Sequence, residues 1–132
     1  MPYAYLFECP GCGFDVELVG AKEFYLTPEG VRADYQYPDP ETYEWPVKRV
    51  AGLWNRVWCP TCRATRHIVI AELPEPAEHP VQAFLLAEAE GRSGDELGPC
   101  PECGTPTIND LEALPCPRCG QARLTLIGEY ET

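Results

Sequence analysis

The eight cysteines of this chain stand in four copies of one tetrapeptide: Cys9-Pro10-Gly11-Cys12, Cys59-Pro60-Thr61-Cys62, Cys100-Pro101-Glu102-Cys103 and Cys116-Pro117-Arg118-Cys119. None lies outside them. A C-P-x-C turn sets two thiols on one side of a tight loop, with proline presetting the backbone and nearby amides able to donate to sulfur. Two such turns face to face supply four sulfurs in a tetrahedron, the geometry of structural zinc. Gly13, Gly104 and Gly120 follow three of the turns, at the place where a positive φ lets the next strand leave. Arg63 follows the second turn, so a different exit is expected there.

Other thiol chemistries fit less well. A disulfide framework needs an oxidising compartment, and residues 1–8 carry neither the basic nor the apolar region of a secretory signal. A redox C-x-x-C pair normally occurs once, opening a helix on a βαβ background, whereas these four sit between strand-like segments. Iron remains the rival, because an all-sulfur tetrahedron suits Fe as well as Zn. The expected cofactors are two Zn²⁺, with Fe the alternative. His67 and His79 are read as surface residues, since each site already has four sulfurs.

Four knuckles allow three pairings. Twelve residues separate Cys103 from Cys116, enough for a short hairpin, and forty-six separate Cys12 from Cys59. The longer gap adds only about 1 kcal/mol of closure entropy. Sequential pairing is therefore expected: Cys9, Cys12, Cys59 and Cys62 in site 1, and Cys100, Cys103, Cys116 and Cys119 in site 2. The crossed arrangement, outer with outer and inner with inner, is the alternative.

The elements that position these turns follow from local patterning. Tyr3 to Cys9 reads as a strand entering the first knuckle, and Phe14, Val16 and Leu18 alternate with Asp15 and Glu17 on a half-buried strand leaving it. A long aromatic insertion follows over 20–55; Phe24, Tyr25, Tyr35, Tyr37 and Tyr43 lie among Pro28, Gly30, Pro38, Pro40 and Pro46 in its first part, 20–46, which reads as a loop or irregular hairpin whose rings cover a small core. Asn55 to Trp58 leads into the second knuckle, and Arg66 to Leu73 leaves it as a strand. Pro74, Pro76 and Pro80 mark a boundary. Val81 to Glu90 is the best helix, packing through Phe84 and Leu85 and stopped at Gly91. The last segment holds two knuckles, a hairpin around Asn109-Asp110 and a final strand from Leu124 to Tyr130. The expected organisation is a ribbon over 1–74, a proline-rich linker with the short helix over 75–94, and a compact ribbon over 95–132 that metal must stabilise.

With the knuckles placed, each half resembles a zinc ribbon with rubredoxin-like knuckles. The spacing from Cys100 to Gly120 is similar to that of compact ribbons and of the rubredoxin-like tail of rubrerythrins, although Thr105 stands where those iron proteins commonly carry an aromatic. The first half loosely resembles the CpXC family through Phe7-Glu8-Cys9-Pro10-Gly11-Cys12-Gly13 and Leu53 to Pro60. The crossed pairing occurs in the cysteine-rich region of DnaJ-type chaperones, whose further glycine repeat is missing here. The fold class these resemblances imply is small, metal-stabilised and mainly β: two zinc ribbons joined by a short helix.

The charge is −11, from 10 Lys+Arg against 21 Asp+Glu. Its distribution is uneven. From Trp45 to Ala71 there is no acidic residue, while Lys48, Arg49, Arg56, Arg63 and Arg66 are basic and all three tryptophans, Trp45, Trp54 and Trp58, fall in the same stretch. Such a strip could dock an acidic protein partner or stack on nucleic acid, or it could pair with the protein's own carboxylates. Elsewhere the acidity disfavours nucleic acid and anionic membranes. Asp110 and Glu112 read as turn residues. No catalytic set is legible, so an enzyme is not expected; a cytoplasmic adaptor or protein-interaction module is, with rubredoxin-like electron transfer and a nucleic-acid-associated ribbon as alternatives. Two Lys against eight Arg, two Asn, three Gln and one Met hint at a thermophilic source.

Overall fold

A computed structural model describes residues 3–35, 49–78, 81–92 and 97–131. Six strands form one antiparallel sheet: β1 (Tyr3–Glu8), β2 (Asp15–Leu26), β3 (Arg32–Asp34), β4 (Val50–Cys59), β5 (Ala64–Ala77) and β6 (Thr125–Glu131). Their spatial order is β5-β4-β2-β1-β6, with β3 folded back on the far end of β2. The helix α1 (Val81–Ala89) packs on β4 and β5.

Of the expected aromatic loop or irregular hairpin over 20–46, the described part, 20–35, is a hairpin: Phe24 and Tyr25 continue β2 and Arg32–Asp34 returns along it. A bulge makes this continuation possible. Ala21 takes φ 55° and its amide donates to the buried Asn55 Oδ1 at 2.5 Å, while the β2–β4 register shifts between Val19 and Lys22. An extra residue re-aims the following side chains. Phe24 thereby meets Trp54 at 5.2 Å between ring centres, in a cluster with Ala51. Tyr37, Tyr43 and the rest of 36–48 lie outside the described residues.

The prolines of 74 and 76 do not mark a boundary: β5 runs through both to Ala77. Proline cannot donate to a ladder, and β5 tolerates it as an edge strand. The helix ends as expected. Gly91 takes φ 71°, its amide donates to Glu88 O at 3.1 Å, and the Arg92 amide donates to Ala87 O at 2.8 Å, which together close the last turn. Its buried face differs from expectation. Ala83 and Ala87 are buried against Tyr35, Val50, Leu53, Ile70 and Ala71, with Phe84 at the margin, while Leu85 points out at 58% exposure. Small residues let the helix approach the sheet closely.

The two-unit division does not describe the observed architecture. β6 pairs with β1 from Tyr3↔Glu131 to Glu8↔Thr125, so the last segment completes the sheet begun by the first. The expected hairpin at Asn109-Asp110 is a turn in which the Glu112 amide donates to Asp110 Oδ1 at 3.0 Å. Around it, residues 97–124 form a strap of turns and single bridges: Pro99↔Pro106, Trp58↔Ile108 and Pro115↔Arg123.

Candidate metal centres

β1 and β4 both run antiparallel to β2, so they run parallel to each other and their knuckles emerge at one end of the sheet. Because β6 is antiparallel to β1, it starts at that same end, immediately after the fourth knuckle. The strap therefore crosses this end. Trp58 and Ile108 exchange two backbone hydrogen bonds of 2.8 and 2.9 Å, holding the strap beside β4 just before Cys59. The third knuckle comes to lie against the second, and the fourth against the first.

The resulting tetrads are Cys9, Cys12, Cys116 and Cys119, and Cys59, Cys62, Cys100 and Cys103; within each, the sulfurs lie within 4.8 Å of one another. This corrects the sequential pairing and realises the crossed one. Cys103 and Cys116 do not share a site, because the strap between them spans from one site to the other. The nearest sulfurs are 3.6 Å (Cys9–Cys119), 3.7 Å (Cys12–Cys116), 3.5 Å (Cys59–Cys103) and 3.9 Å (Cys62–Cys100) apart. These are not disulfides, whose sulfurs are bonded at about 2.05 Å. A tetrahedron with metal–sulfur bonds of about 2.3 Å has edges of about 3.8 Å, so both tetrads fit a metal ion.

All four knuckles share one backbone form. The residue after each C-P-x-C donates its amide to the carbonyl of the first cysteine: Gly13 to Cys9 at 3.0 Å, Arg63 to Cys59 at 2.9 Å, Gly104 to Cys100 at 2.8 Å and Gly120 to Cys116 at 2.9 Å. Each takes positive φ, Arg63 included at 53°. The second knuckle thus exits like the others, and the tetrad holds an arginine where glycine would be unstrained. Amides also donate to sulfur, Cys62 N to Cys59 Sγ at 3.3 Å and Arg118 N to Cys116 Sγ at 3.4 Å.

Crowding splits the thiols. The Phe14 amide holds Cys12 down, but burial and the thiols of Cys9, Cys116 and Cys119 push it up to about 11. Cys62 is pushed up to about 12, first by the Cys103 thiol, with Arg66 opposing. Burial opposes ionisation of Cys100, yet the amides of Cys103 and Glu102 bring it down to about 6. The amides of Gln121 and Ala122 bring Cys119 down to about 6. Four thiolates so close cannot all ionise without a cation among them.

Against the first tetrad lies an apolar cluster of Phe7, Leu18, Trp58, Leu111 and Leu124 with Cys9 and Cys116. The tryptophan-arginine strip is consequently dispersed. Trp58 is buried in this cluster, with Phe14 edge-on at 6.3 Å. Trp54 is buried, donates Nε1 to Asp34 Oδ1 at 2.8 Å and stacks on His67 at 3.8 Å. Arg56 pairs with Asp34 at 2.7 Å and Glu17 at 3.9 Å. His67 is not a simple surface residue: burial, then Arg56, lowers its pKa. Arg49 is exposed, 3.6 Å from Glu78, and Arg63 is exposed, donating to Pro117 O at 3.5 Å. Arg66 stands beside the second tetrad. Trp45, Lys48 and His79 lie outside the described residues. Carboxylates on β2 and β3, remote in sequence, supply the charge that the acid-free stretch lacks.

No family model matches the chain, and no curated protein or solved structure matches it. The ribbon resemblance therefore stands on the cysteines and their geometry alone. No described helix is long and apolar enough to cross a membrane.

Proposed function

We propose that this is a structural zinc protein whose two ions clasp the strap 97–124 across one end of the sheet, and that it works as a protein-interaction or adaptor module of the cytoplasm, not as an enzyme. The observation that carries the metal reading is the pair of four-sulfur clusters with near-tetrahedral spacing. A four-sulfur site filled by zinc is closed, with no coordination position left for substrate. Support for the adaptor role comes from apolar side chains displayed on regular elements: Val81 and Leu85 on α1, and Ile127 and Tyr130 on the edge strand β6, all between 44% and 58% exposed. Regular edges of this kind are used for partner docking.

Rubredoxin-like electron transfer is the second reading, favoured by the amide donors to Cys59 and Cys116 sulfur, which tune such centres. The nucleic-acid reading loses support, because Trp54 and Trp58 are buried and Arg56 faces its own carboxylates. Metal analysis with a visible spectrum of the purified protein tests the first two. Two zinc ions and a colourless protein are expected; a red protein with iron at both tetrads would sink the zinc reading.

A further inference from the structure

The two hairpin knuckles are built on one register. In the first, Phe7 lies opposite Val16, two residues before Cys9 and seven after it. In the second, Val57 lies opposite Arg66, at the same offsets from Cys59. Opposed residues of an antiparallel pair share a face, as do residues two apart along a strand. Positions 16 and 66 therefore stand on the side from which the first cysteine of each knuckle projects, and a long side chain there can reach the sulfurs. At the first site the position is Val16, packed against the apolar cluster that includes Phe7 and Cys9. At the second it is Arg66, whose guanidinium is within hydrogen-bonding reach of the sulfurs of Cys62 and Cys100. Its Nη1 donates to Thr65 O at 3.1 Å, and its buried Nε has no hydrogen-bond partner among the described residues. At the first tetrad, by contrast, backbone amides and the other thiols act on Cys12, Cys116 and Cys119.

We propose that Arg66 is a charge-compensating positioning residue of the Cys59–Cys62–Cys100–Cys103 site, making it the retentive metal site and leaving the Cys9–Cys12–Cys116–Cys119 site the exchangeable one. This rests on the zinc reading. A divalent ion among four thiolates leaves two surplus negative charges. A guanidinium held beside two of those sulfurs offsets one charge, so protons and competing electrophiles attack them less readily. Val16 offers no such relief. Exposure does not separate the sites, since Cys12 and Cys103 are each exposed; the difference is the side chain at the seventh position after the first cysteine. The outer clasp, which secures the start of β6, is then the one that responds to metal supply.

The test uses the full chain loaded with Zn²⁺ and challenged with EDTA. Zinc release is followed in time, and freed cysteines are identified by alkylation and peptide mass spectrometry. Release is expected in two phases, with Cys9, Cys12, Cys116 and Cys119 alkylated first. Arg66→Met should accelerate the slow phase by about 10- to 100-fold and leave the fast phase unchanged. Arg66→Lys, which keeps the charge without the planar fork, should fall between. The inference is overturned if the wild-type chain loses zinc from both tetrads at one rate or from the second tetrad first, or if Arg66→Met leaves the slow phase unaltered. Fewer than two zinc ions at the outset would instead overturn the metal reading, and this inference with it; the wild-type order of release stays informative even if the methionine variant does not fold.

Discussion

At the residue scale, the thiols set a pH dependence whose sign is clear. Zinc displaces protons, so affinity falls as protons compete more strongly. Cys62 and Cys12 hold their protons to about 12 and about 11, and must release them to ligate at neutral pH. Cys100 and Cys119 are brought down to about 6, so below that pH even the most acidic thiols are protonated and must also be displaced. Competitive zinc titrations from pH 8 to pH 5 should therefore show affinity falling throughout and more steeply below about pH 6. A flat profile would contradict thiolate ligation. Arg63 supplies a second residue-scale expectation. A non-glycine residue at positive φ costs about 1–2 kcal/mol, partly offset in a glycine variant by the greater freedom of its unfolded chain. Arg63→Gly should thus leave the zinc-loaded protein equally stable or up to about 1 kcal/mol more stable in thermal unfolding, whereas Arg63→Val should destabilise it.

At the element scale, β4 carries the tightest constraint. A Cβ at Gly52 would collide with the Ala71 carbonyl oxygen and come within 2.6 Å of Cζ of Phe24. The ring lies over this glycine because the bulge at Ala21 has re-aimed β2, and β4 has no room to retreat from β5. Gly52→Ala should cost about 1–3 kcal/mol by overpacking, read from the denaturation midpoint of the zinc-loaded protein. A cost near zero would mean that both the Phe24 ring and the Ala71 carbonyl can move aside. The limits of local pattern also show here. Val16 and Leu18 announce a strand by alternation, but the period breaks at Ala21, with positive φ on the alanine and not on the neighbouring Gly20. The Asn55 amide that holds the bulge lies thirty-four residues away. Helix α1 was legible by its limits but not by its face: Phe84, Leu85 and Leu86 are its bulkiest apolar residues, yet close approach to the sheet buries Ala83 and Ala87, leaves Phe84 and Leu86 at the margin and turns Leu85 outward.

At the scale of the whole molecule, the crossed tetrads predict which losses travel together. Cys12→Ser with Cys116→Ser removes ligands from one tetrad, so this double variant should retain one tightly held zinc; sequential pairing would have it damage both sites. Native mass spectrometry distinguishes the two. Metal removal should loosen the strap 97–124 first, because knuckles and single bridges tie it down. The β2–β4–β5 region under α1 has its own buried residues, including Val50, Leu53 and Ile70. Hydrogen exchange after EDTA treatment should show early loss of protection at Cys100, Cys116 and their neighbours while Leu53 and Val57 stay protected; uniform loss would mean that the metals hold the entire sheet. Eight thiolate charges against two divalent ions would also take the formal charge from −11 to −15.

The eight cysteines as candidate ligands, the glycine exits of three knuckles and the mainly β class were legible from the chain alone, because a C-P-x-C turn is a local object whose chemistry travels with its four residues; the same exit at Arg63 was not. Which knuckles meet was not. Chain-entropy favours near neighbours by only about 1 kcal/mol, less than what is gained by completing a sheet. Pairing β6 with β1 and tying Ile108 to Trp58 bring the fourth knuckle to the first and the third to the second. The same long-range contacts decided the fate of the described part of the basic strip: Arg56 meets Asp34 and Glu17, and Trp54 and Trp58 turn inward. Ligands are chosen by residue type and spacing, but partners are chosen by strand order, and strand order is a property of the sheet as a whole.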